Sequence, residues 1–479
     1  MEKTLPKPTG IDAKTDPRFL IGGRYGTTEM IKIWGPERTF QYSLDALAEG
    51  VNTMSRLHPD IANPAYAKEI SENAKIGIID PQRIRELEYE TGHDIVAITK
   101  ALEEKVCPSA ASLPGQARTS ADTTETAKAK QLQESLIVIA DSIENLRDVV
   151  LEKSYDWINI PFMEETHLLD ALPGVAGGIF SHYAEVLQSD LDFLKYVYKN
   201  SLKAKWADAT GCHHSAKALG ISGMKLEKEY CKSLGLNRMI APAQVPAREF
   251  IMDNVYVVAR TAETMNNLAS YIAWGKSDDV DVFKDETPKK RKGSSAMPHK
   301  DAKGGNPTID EQTESFANLT RGFMSTMLSS CKMRPKRDLT ASASDRVTLE
   351  TSFKFGDYVI RRLSSDVYNL GINEERSKER VLRTNGIVTS ERILTLLTDQ
   401  RKTKNPMPRS QAHDLLGKLA TQAYENKTSF KKVLLQNEEV TSHLSKSVIS
   451  RAANPLTYLG ESKNIVKTVY QSFHKKKTL

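Results

Sequence analysis

The feature that most constrains the fold of this 479-residue chain is a pair of long apolar stripes with helical spacing. In each stripe the apolar residues step alternately by three and four positions, which buries one face of a helix against another helix. The two stripes are Leu132, Leu136, Ile139, Ile143, Leu146 and Val150, and Val255, Val258, Ala262, Met265, Ala269 and Ile272. Stripes of this length are typical of long, nearly parallel bundle helices. A third helix is predicted over residues 181–200.

Strand signals are sparse by comparison, because little of the chain alternates apolar and polar residues with a period of two. The chain is therefore predicted to be all-α. Clusters of proline and glycine over residues 107–118, and a break at 369–373, indicate domain boundaries. Three domains follow from these breaks. They are an N-terminal helical domain (1–112), a central long-helix bundle (113–368) and a C-terminal helical domain (369–479).

Composition excludes several classes of protein. The four cysteines have no paired spacing, which fits free thiols in a reducing cytoplasm better than a disulfide framework or a zinc cluster. No apolar run approaches the roughly 20 residues that span a bilayer, and the first residues lack a signal-peptide core. A soluble, cytoplasmic protein without a membrane partner is expected. The net charge of +6 is small for this length, and the one basic run, Lys289–Lys292, predicts a solvated loop or an anion-attracting segment rather than a nucleic-acid-binding surface.

Metal and cofactor chemistry finds little support in the sequence. His213-His214 is a candidate metal pair, but adjacent histidines on a helix point about 100° apart and rarely bind one ion. The HExxH, P-loop and GxGxxG patterns of zinc hydrolases, nucleotide hydrolases and dinucleotide enzymes are absent. We therefore predict no metal and no cofactor.

The strongest candidate for a functional segment is the loop 284–307. It holds three prolines and three glycines, and it exceeds the length of about 12–15 residues above which loops are usually functional or disordered. Its centre reads GSSAMPHK over residues 293–300. Composition alone allows either a polar surface loop or a mobile lid that presents a serine and backbone N–H groups to an anion.

This octapeptide resembles the GSSxMPxK loop of the fumarase/aspartase superfamily, and other motifs follow in that superfamily's order. They are Arg24-Tyr25 with Glu29-Met30, Thr91-Gly92-His93-Asp94, Thr119-Ser120-Ala121-Asp122, the THLLDALP segment 166–173, Gln244-Val245, and Arg337-Asp338-Leu339-Thr340 with Ser342 and Arg346. The Thr91–Asp94 element is similar to that of adenylosuccinate lyases, and other branches generally lack it. The resemblance covers roughly residues 22–470.

The resemblance implies a three-domain lyase fold whose central bundle assembles into a homotetramer with shared active sites. It implies an enzyme that eliminates fumarate from adenylosuccinate to give AMP, and also from the succinylated imidazole carboxamide ribotide SAICAR to give AICAR. The substrate is thus expected to be a small succinylated nucleotide. Two alternatives stay open: another fumarate-releasing lyase acting on an argininosuccinate-like or N-substituted aspartate substrate, and an inactive helical scaffold.

Catalytic roles implied by the resemblance fall on five residues. Ser294 is the general base, which requires its alkoxide to be stabilised as water is excluded. His167 is the general acid, and His93 and Glu311 position or polarise it. Lys300 holds the substrate carboxylate. The residues expected to bind substrate are Arg24, Tyr25, Asp94, Thr119, Ser120, Gln244, Ser295, Met297, Asn306, Arg337, Ser342 and Arg346.

The sequence departs from the family pattern at four places. Four extra residues precede Asn306-Pro307, so either Lys300 or Lys303 can take the lysine's role. Gly115 and Ala341 stand where histidines are usual, and residues 211–215 (GCHHS) replace a run of small residues. These changes leave the proposed acid and base in place, so elimination chemistry is predicted more firmly than the leaving group.

Overall fold

The computed structural model describes residues 24–286, 294–303 and 305–479, without the side chains of residues 301–303. Helices dominate, and the described residues contain only two small two-stranded sheets, so the all-α prediction is confirmed. Among these residues, no helix is long and apolar enough to cross a bilayer.

Short helices build the N-terminal region. They are α1 (Thr28–Ile33), α2 (Pro36–Leu57), α3 (Pro64–Asn73), α4 (Pro81–Thr91), α5 (Asp94–Glu103) and α6 (Pro108–Ala111). Several begin with proline, whose fixed φ suits the first helical turn. Gly92 ends α4 in the left-handed conformation, with φ of 66°, and His93 is the N-cap of α5. His93 and Asp94 are thereby held at the start of a helix.

Five long helices form the central bundle: α7 (Ser120–Asp156), α8 (Gly177–Asn200), α11 (Arg248–Gly275), α12 (Thr308–Ser330) and α13 (Ser342–Tyr368). Two short helices, α9 (His214–Ala218) and α10 (Gly223–Ser233), lie between α8 and α11. The two apolar stripes lie on α7 and α11, and all their residues are buried in one core. The helix predicted over residues 181–200 lies within α8.

A β-hairpin, β1 (Pro161–Thr166) and β2 (Leu169–Val175), connects α7 to α8. The turn consists of His167 and Leu168, with φ of 55° and 66°. Two left-handed residues in succession match the type I′ turn that suits the twist of a hairpin. Sequence analysis did not predict these strands, because the turn lacks the Asn or Gly that usually marks this conformation. The second sheet pairs β3 (Phe283–Asp285) with β4 (Leu370–Ile372).

The C-terminal helices are α14 (Glu374–Leu382), α15 (Ser390–Thr398), α16 (Arg409–Glu425), α17 (Phe430–Gln436), α18 (Glu438–His443), α19 (Lys446–Ala452) and α20 (Ser462–Phe473). Short 3₁₀ helices cover Pro298–Lys303, Ile387–Thr389 and Pro455–Thr457. Apolar residues between 393 and 453 form a core of their own, whereas α20 packs back on α7 and α8.

The bundle has two distinct ends. Ser330, the last residue of α12, shares a hydrogen bond of 2.7 Å with Ser344 in the first turn of α13. Lys276, just after α11, contacts both Asp310 at the start of α12 and Asp366 near the end of α13. Hence α11 and α13 begin at one end, called here the cleft end, and so does α7, whose Lys128 contacts Asp345 in the first turn of α13. The loop 284–307, called here the serine-bearing loop, joins the other end, called the loop end. The 28 residues of α11 separate the two ends by about 40 Å.

Candidate active site

A cleft of about 1040 Å³ opens at the cleft end of the bundle. It lies where the beginnings of α5, α7, α11 and α13 come together with the end of α12. Seven of the residues expected from sequence line it: His93, Asp94, Ser120, Gln244, Arg337, Ser342 and Arg346. Folding therefore joins four motifs, of which the first and last, at His93 and Arg346, are 253 positions apart in the sequence.

A contact between His93 and Asp94 organises one side of the cleft. Nδ1 of His93 lies 3.2 Å from one carboxylate oxygen of Asp94, and the other oxygen lies 3.8 Å from Nη2 of Arg346. Asp94 is the first residue of α5, where the helix dipole stabilises a negative charge. All three side chains are exposed, so these contacts contribute little to stability and leave the groups accessible to a ligand.

Arg337 and Gln244 form the opposite side. Nη1 of Arg337 donates a hydrogen bond of 2.8 Å to the side-chain oxygen of Gln244, and the backbone N–H of Gln244 donates to the carbonyl of Lys336. Arg337 precedes α13 in a non-helical segment, and it lines the same cleft as Arg346 although the serine-containing residues 342–345 between them are helical. Arginine's planar fork suits carboxylate and phosphate groups.

The turn that carries Arg337 is held by Asp338. Its carboxylate accepts hydrogen bonds from the hydroxyl and backbone N–H of Thr340 and from the backbone N–H of Arg334. These bonds, led by the Thr340 hydroxyl, lower the pKa of Asp338 to about 2. The carboxylate is therefore ionised throughout the neutral range, and the turn keeps its bonds.

Sequence analysis missed several charged residues of the cleft wall, among them Glu125, Lys128, Arg248 and Asp345. Asp345 lies within the segment from Arg337 to Arg346 but was not singled out, and the spacing of Glu125 and Lys128, three residues apart on a helix, could have suggested an ion pair. Ala341, one of the four departures, also lines the cleft. Gly115, another departure, is exposed and lies outside it.

Ser294 lies on the serine-bearing loop and does not line the cleft. Its Oγ accepts hydrogen bonds from the backbone N–H groups of Ala296 and Met297, at 3.3 and 3.1 Å. Two N–H donors aimed at one oxygen would stabilise negative charge that develops there. This arrangement is the kind of support that a serine base requires.

The rest of the loop end holds five other expected residues. Nζ of Lys300 donates a hydrogen bond of 2.9 Å to the side-chain oxygen of Asn306. Glu311 is exposed in the first turn of α12, and Ser295 and Met297 are exposed on the loop. Gly293 and the side chain of Lys303 lie outside the described residues, so the choice between Lys300 and Lys303 stays open.

His167 lies at the apex of the β-hairpin and does not line the cleft either. It and Leu168 both have positive φ, a conformation that costs an L-residue roughly 1–2 kcal/mol. Leu168 and Leu169 beside it are 85% and 72% exposed.

Three expected residues lie elsewhere. The ring of Tyr25 packs edge-on against Phe316 and Phe355 in the middle of the bundle, and the exposed guanidinium of Arg24 lies 6.0 Å from that ring. Thr119 is the N-cap of α7, where its backbone N–H donates to Asp122. One chain thus brings seven of the expected residues together and distributes the other ten over separate places.

The adjacent histidines make separate contacts. Nε2 of His213 lies 3.8 Å from buried Glu227, whereas Nδ1 of His214 lies 3.3 Å from Thr210. Within the described ranges, no group of three or more His, Cys, Asp and Glu side chains is placed to hold a metal ion.

Two family models match the chain. The model described as lyase covers residues 25–318, and the model of the adenylosuccinate lyase C-terminus covers residues 386–469. The chain belongs to the lyase family. This lyase is 28% identical to the adenylosuccinate lyase of Methanocaldococcus jannaschii, over 95% of this chain and 96% of the relative. It is 27% identical to the adenylosuccinate lyase of Bacillus subtilis, over 89% and 94% of the two chains. These matches confirm the resemblance to adenylosuccinate lyases of the fumarase/aspartase superfamily.

Solved structures agree on the fold of this lyase. A fumarate lyase from Mesorhizobium sp. BNC1 superposes with a TM-score of 0.80 at 18% identity, over 93% of this chain and 98% of the other. A 3-carboxy-cis,cis-muconate lactonizing enzyme from Pseudomonas putida gives a TM-score of 0.80 at 20% identity, over 96% and 100%.

Proposed function

We propose that this chain eliminates fumarate from adenylosuccinate to give AMP, as a cytoplasmic homotetramer in which neighbouring subunits complete each active site. The relatives named adenylosuccinate lyase, which match nearly the whole chain, support the substrate. SAICAR, which carries the same succinyl group on a ribotide, is proposed as a second substrate. All four cysteines are free thiols, which is compatible with a reducing compartment.

The cleft suits a nucleotide that carries a dicarboxylate. Lys332, Arg337 and Arg346 supply cations for phosphate and carboxylate oxygens. Trp34 and Phe40 supply apolar surface for a purine ring. A cleft with an apolar wall and a few convergent polar groups is the usual architecture of a small-molecule site.

The reaction needs a base and an acid on opposite faces of the substrate. Ser294 takes the proton from the succinyl Cβ, and the electrons of that C–H bond form the new double bond of fumarate. The C–N bond then breaks, and His167 donates its proton to the departing nitrogen. Negative charge collects on the carboxylate beside Cβ in the intermediate, where Lys300 and the loop N–H groups stabilise it.

The proposal of shared sites rests on the distance between the expected binding residues and the expected catalytic residues within one chain. The cleft holds binding residues but neither the base nor the acid, and the loop end lies about 40 Å away along the bundle. A reaction requires its groups within about 3–3.5 Å of the reacting atoms. Copies packed with their bundles antiparallel would bring the loop end of one chain to the cleft end of another.

The side of the bundle offers a surface for such packing. A groove of about 530 Å³ runs between α8, α11 and α12. Tyr256 and Leu328 line it and are 43% and 58% exposed. Apolar side chains exposed together along long helices are typical of association surfaces.

To test this proposal, the formation of fumarate and AMP is measured after adenylosuccinate is added to the purified protein. Ser294→Ala and His167→Ala should each lower kcat by about 10²–10⁴, the range of general acid–base catalysis. Refolding the two variants together should restore part of the activity, because some hybrid sites receive His167 from one variant and Ser294 from the other.

Each variant refolded alone is the control and should remain inactive. An inactive wild type would reject adenylosuccinate as the substrate, and activity on argininosuccinate instead would favour the alternative lyase. Failure to complement, with both variants shown to be tetrameric, would reject the shared site. Inactivity on every succinylated substrate would leave the scaffold alternative.

A further inference from the structure

Four charged side chains form a closed network in the wall of the cleft, called here the quartet: Glu125, Lys128, Arg248 and Asp345. Arg248 donates from Nη1 to one oxygen of Glu125 at 3.0 Å and from Nη2 to the other at 3.3 Å. Its Nη1 also lies 3.3 Å from Asp345. Lys128 lies 3.1 Å from Glu125 and 3.5 Å from Asp345. Each cation therefore contacts both carboxylates.

The quartet is largely buried, and Lys128 is its most exposed member, with 21% of its side chain exposed. The side chains of Glu125 and Asp345 are 6% and 3% exposed, and that of Arg248 is 10% exposed. Burial disfavours the charged form of Glu125, but Lys128 and Arg248 together outweigh it and lower the pKa of Glu125 to about 2. The Glu125 carboxylate is thus ionised in the neutral range.

The members of the quartet lie on or next to segments that carry residues expected to bind substrate. Arg248 begins α11, four residues after Gln244. Asp345 lies in the first turn of α13, between Ser342 and Arg346. Glu125 and Lys128 lie on α7, which begins at Ser120. The network consequently ties together the three helix beginnings that carry one side of the cleft.

The quartet does not attract a charged substrate, because the charges of its two cations and two carboxylates cancel. Nor is stability a sufficient reason for it, since apolar side chains in place of a buried ion network are often neutral or stabilising. A network of fixed, directional contacts instead holds the helices that meet in it at one position relative to each other.

We infer that Arg248 is a positioning residue of this active site, which sets Gln244 and the Arg337–Arg346 segment at the separation that binds substrate. The predicted effect on kinetics rests on the proposed function. The positioning itself rests on the geometry of the quartet. Arginine suits this position because the two ends of its planar fork donate to separate oxygens of Glu125 while Nη1 also reaches Asp345.

Arg248→Met tests the inference in two measurements on the full-length enzyme. Hydrogen–deuterium exchange should become faster in residues 242–247 and 337–345 and stay unchanged in the C-terminal core. With adenylosuccinate, KM should rise by about tenfold or more while kcat changes by less than about threefold, because the lost interaction acts on binding. Arg248→Lys should behave like a weaker form of Arg248→Met.

Arg147→Met is the matched control. Arg147 is a fully buried arginine farther along α7 that bonds Gln188 and Asp148, outside the cleft. Its loss should lower thermal stability and leave KM unchanged. If Arg248→Met does not fold, Arg248→Lys and Asp345→Asn carry the same comparison.

Unchanged exchange in both segments, or an unchanged KM in folded Arg248→Met, would overturn the positioning role. A wild type that does not cleave adenylosuccinate would count against the proposed function alone. The exchange measurement would then still decide whether Arg248 positions the two segments.

Discussion

The buried ion networks at the two ends of the bundle differ in how their cations and carboxylates are paired. The quartet at the cleft end matches two carboxylates with two cations. At the loop end, Lys276 contacts three carboxylates: Asp285 at 3.4 Å, Asp310 at 3.0 Å and Asp366 at 2.9 Å. Each cation of the quartet, by contrast, contacts two carboxylates.

The pKa values follow that balance. At the cleft end, the cations outweigh burial and lower the pKa of Glu125 to about 2. At the loop end, burial and the neighbouring carboxylate of Asp366 raise the pKa of Asp310 to about 7, although Lys276 opposes them. Burial alone thus does not set the protonation state of a carboxyl group. The number of opposite charges within contact distance decides it.

Lys276 also joins the two ends of the serine-bearing loop. Asp285 ends β3, where the loop begins, and Asp310 lies in the first turn of α12, where it ends. Asp310 directly precedes Glu311. The charge balance at this end therefore bears on the part of the chain that carries Ser294.

The largest expected effect comes from removing Lys276 at the loop end. Lys276→Met would take a buried countercharge away from three carboxylates and should lower the free energy of unfolding by about 3–5 kcal/mol. Lys128→Met at the cleft end should cost clearly less, because Arg248 still contacts both carboxylates there. Urea unfolding of both variants at one protein concentration measures the two losses in the free energy of unfolding. Equal losses would contradict the role assigned to charge balance.

The second prediction concerns pH. The pKa of Asp310 is raised from its ordinary value of 3.8 to about 7 by burial, so between these values the folded state binds more protons than the unfolded chain. Its contribution to the free energy of unfolding should decrease as pH rises from about 4 to about 7, by a few kcal/mol at most. Lys276, Asp285 and Asp366 are the charged groups that face it.

Asp310→Asn isolates this contribution. The pH dependence of unfolding in the variant, subtracted from that of the wild type, should show the decrease between pH 4 and 7. Glu125→Gln should give the opposite sign, because the lowered pKa of Glu125 contributes stability that is present above its ordinary value of 4.5 and lost as pH falls toward 2. Two difference curves of the same sign would refute the comparison.

The smallest effect is expected at the hairpin, whose β1 residue Phe162 stacks on Phe283 of β3. Leu168→Gly should raise the free energy of unfolding by about 0.5–1 kcal/mol, because glycine adopts the left-handed conformation without steric cost. Leu169→Gly is the control: it is similarly exposed but has no positive φ, and it should destabilise the chain. Thermal unfolding of both variants decides; a loss of stability in Leu168→Gly would indicate that the turn is not strained.

Sequence could predict much of the fold and of the site because both rest on local patterns. The stripe from Leu132 to Val150 repeats at helical spacing, and it lies within α7 with every residue buried. The motifs at His93-Asp94 and Arg337–Arg346 identified residues that do line one cleft. In each case, a few neighbouring residues carry the whole signal.

Other features could not be predicted this way. The hairpin around His167 was missed because its type I′ turn is made by His and Leu instead of Asn and Gly. The quartet was missed because its members come from three helices, α7, α11 and α13. Lys128 and Asp345 are more than 200 residues apart in the sequence, and a contact across that distance leaves no local pattern. The domain boundaries and the catalytic roles stay predictions.

By itself, the sequence determined that the chain forms long amphipathic helices and carries the motifs of a lyase, since periodicity and short motifs are properties of neighbouring residues. Only the tertiary structure decided which motifs meet, that Ser294 and His167 lie away from the cleft, and that the pKa of Glu125 is lowered whereas that of Asp310 is raised. The physical reason is that a site and a pKa depend on groups in contact, and contact between distant segments is set by packing.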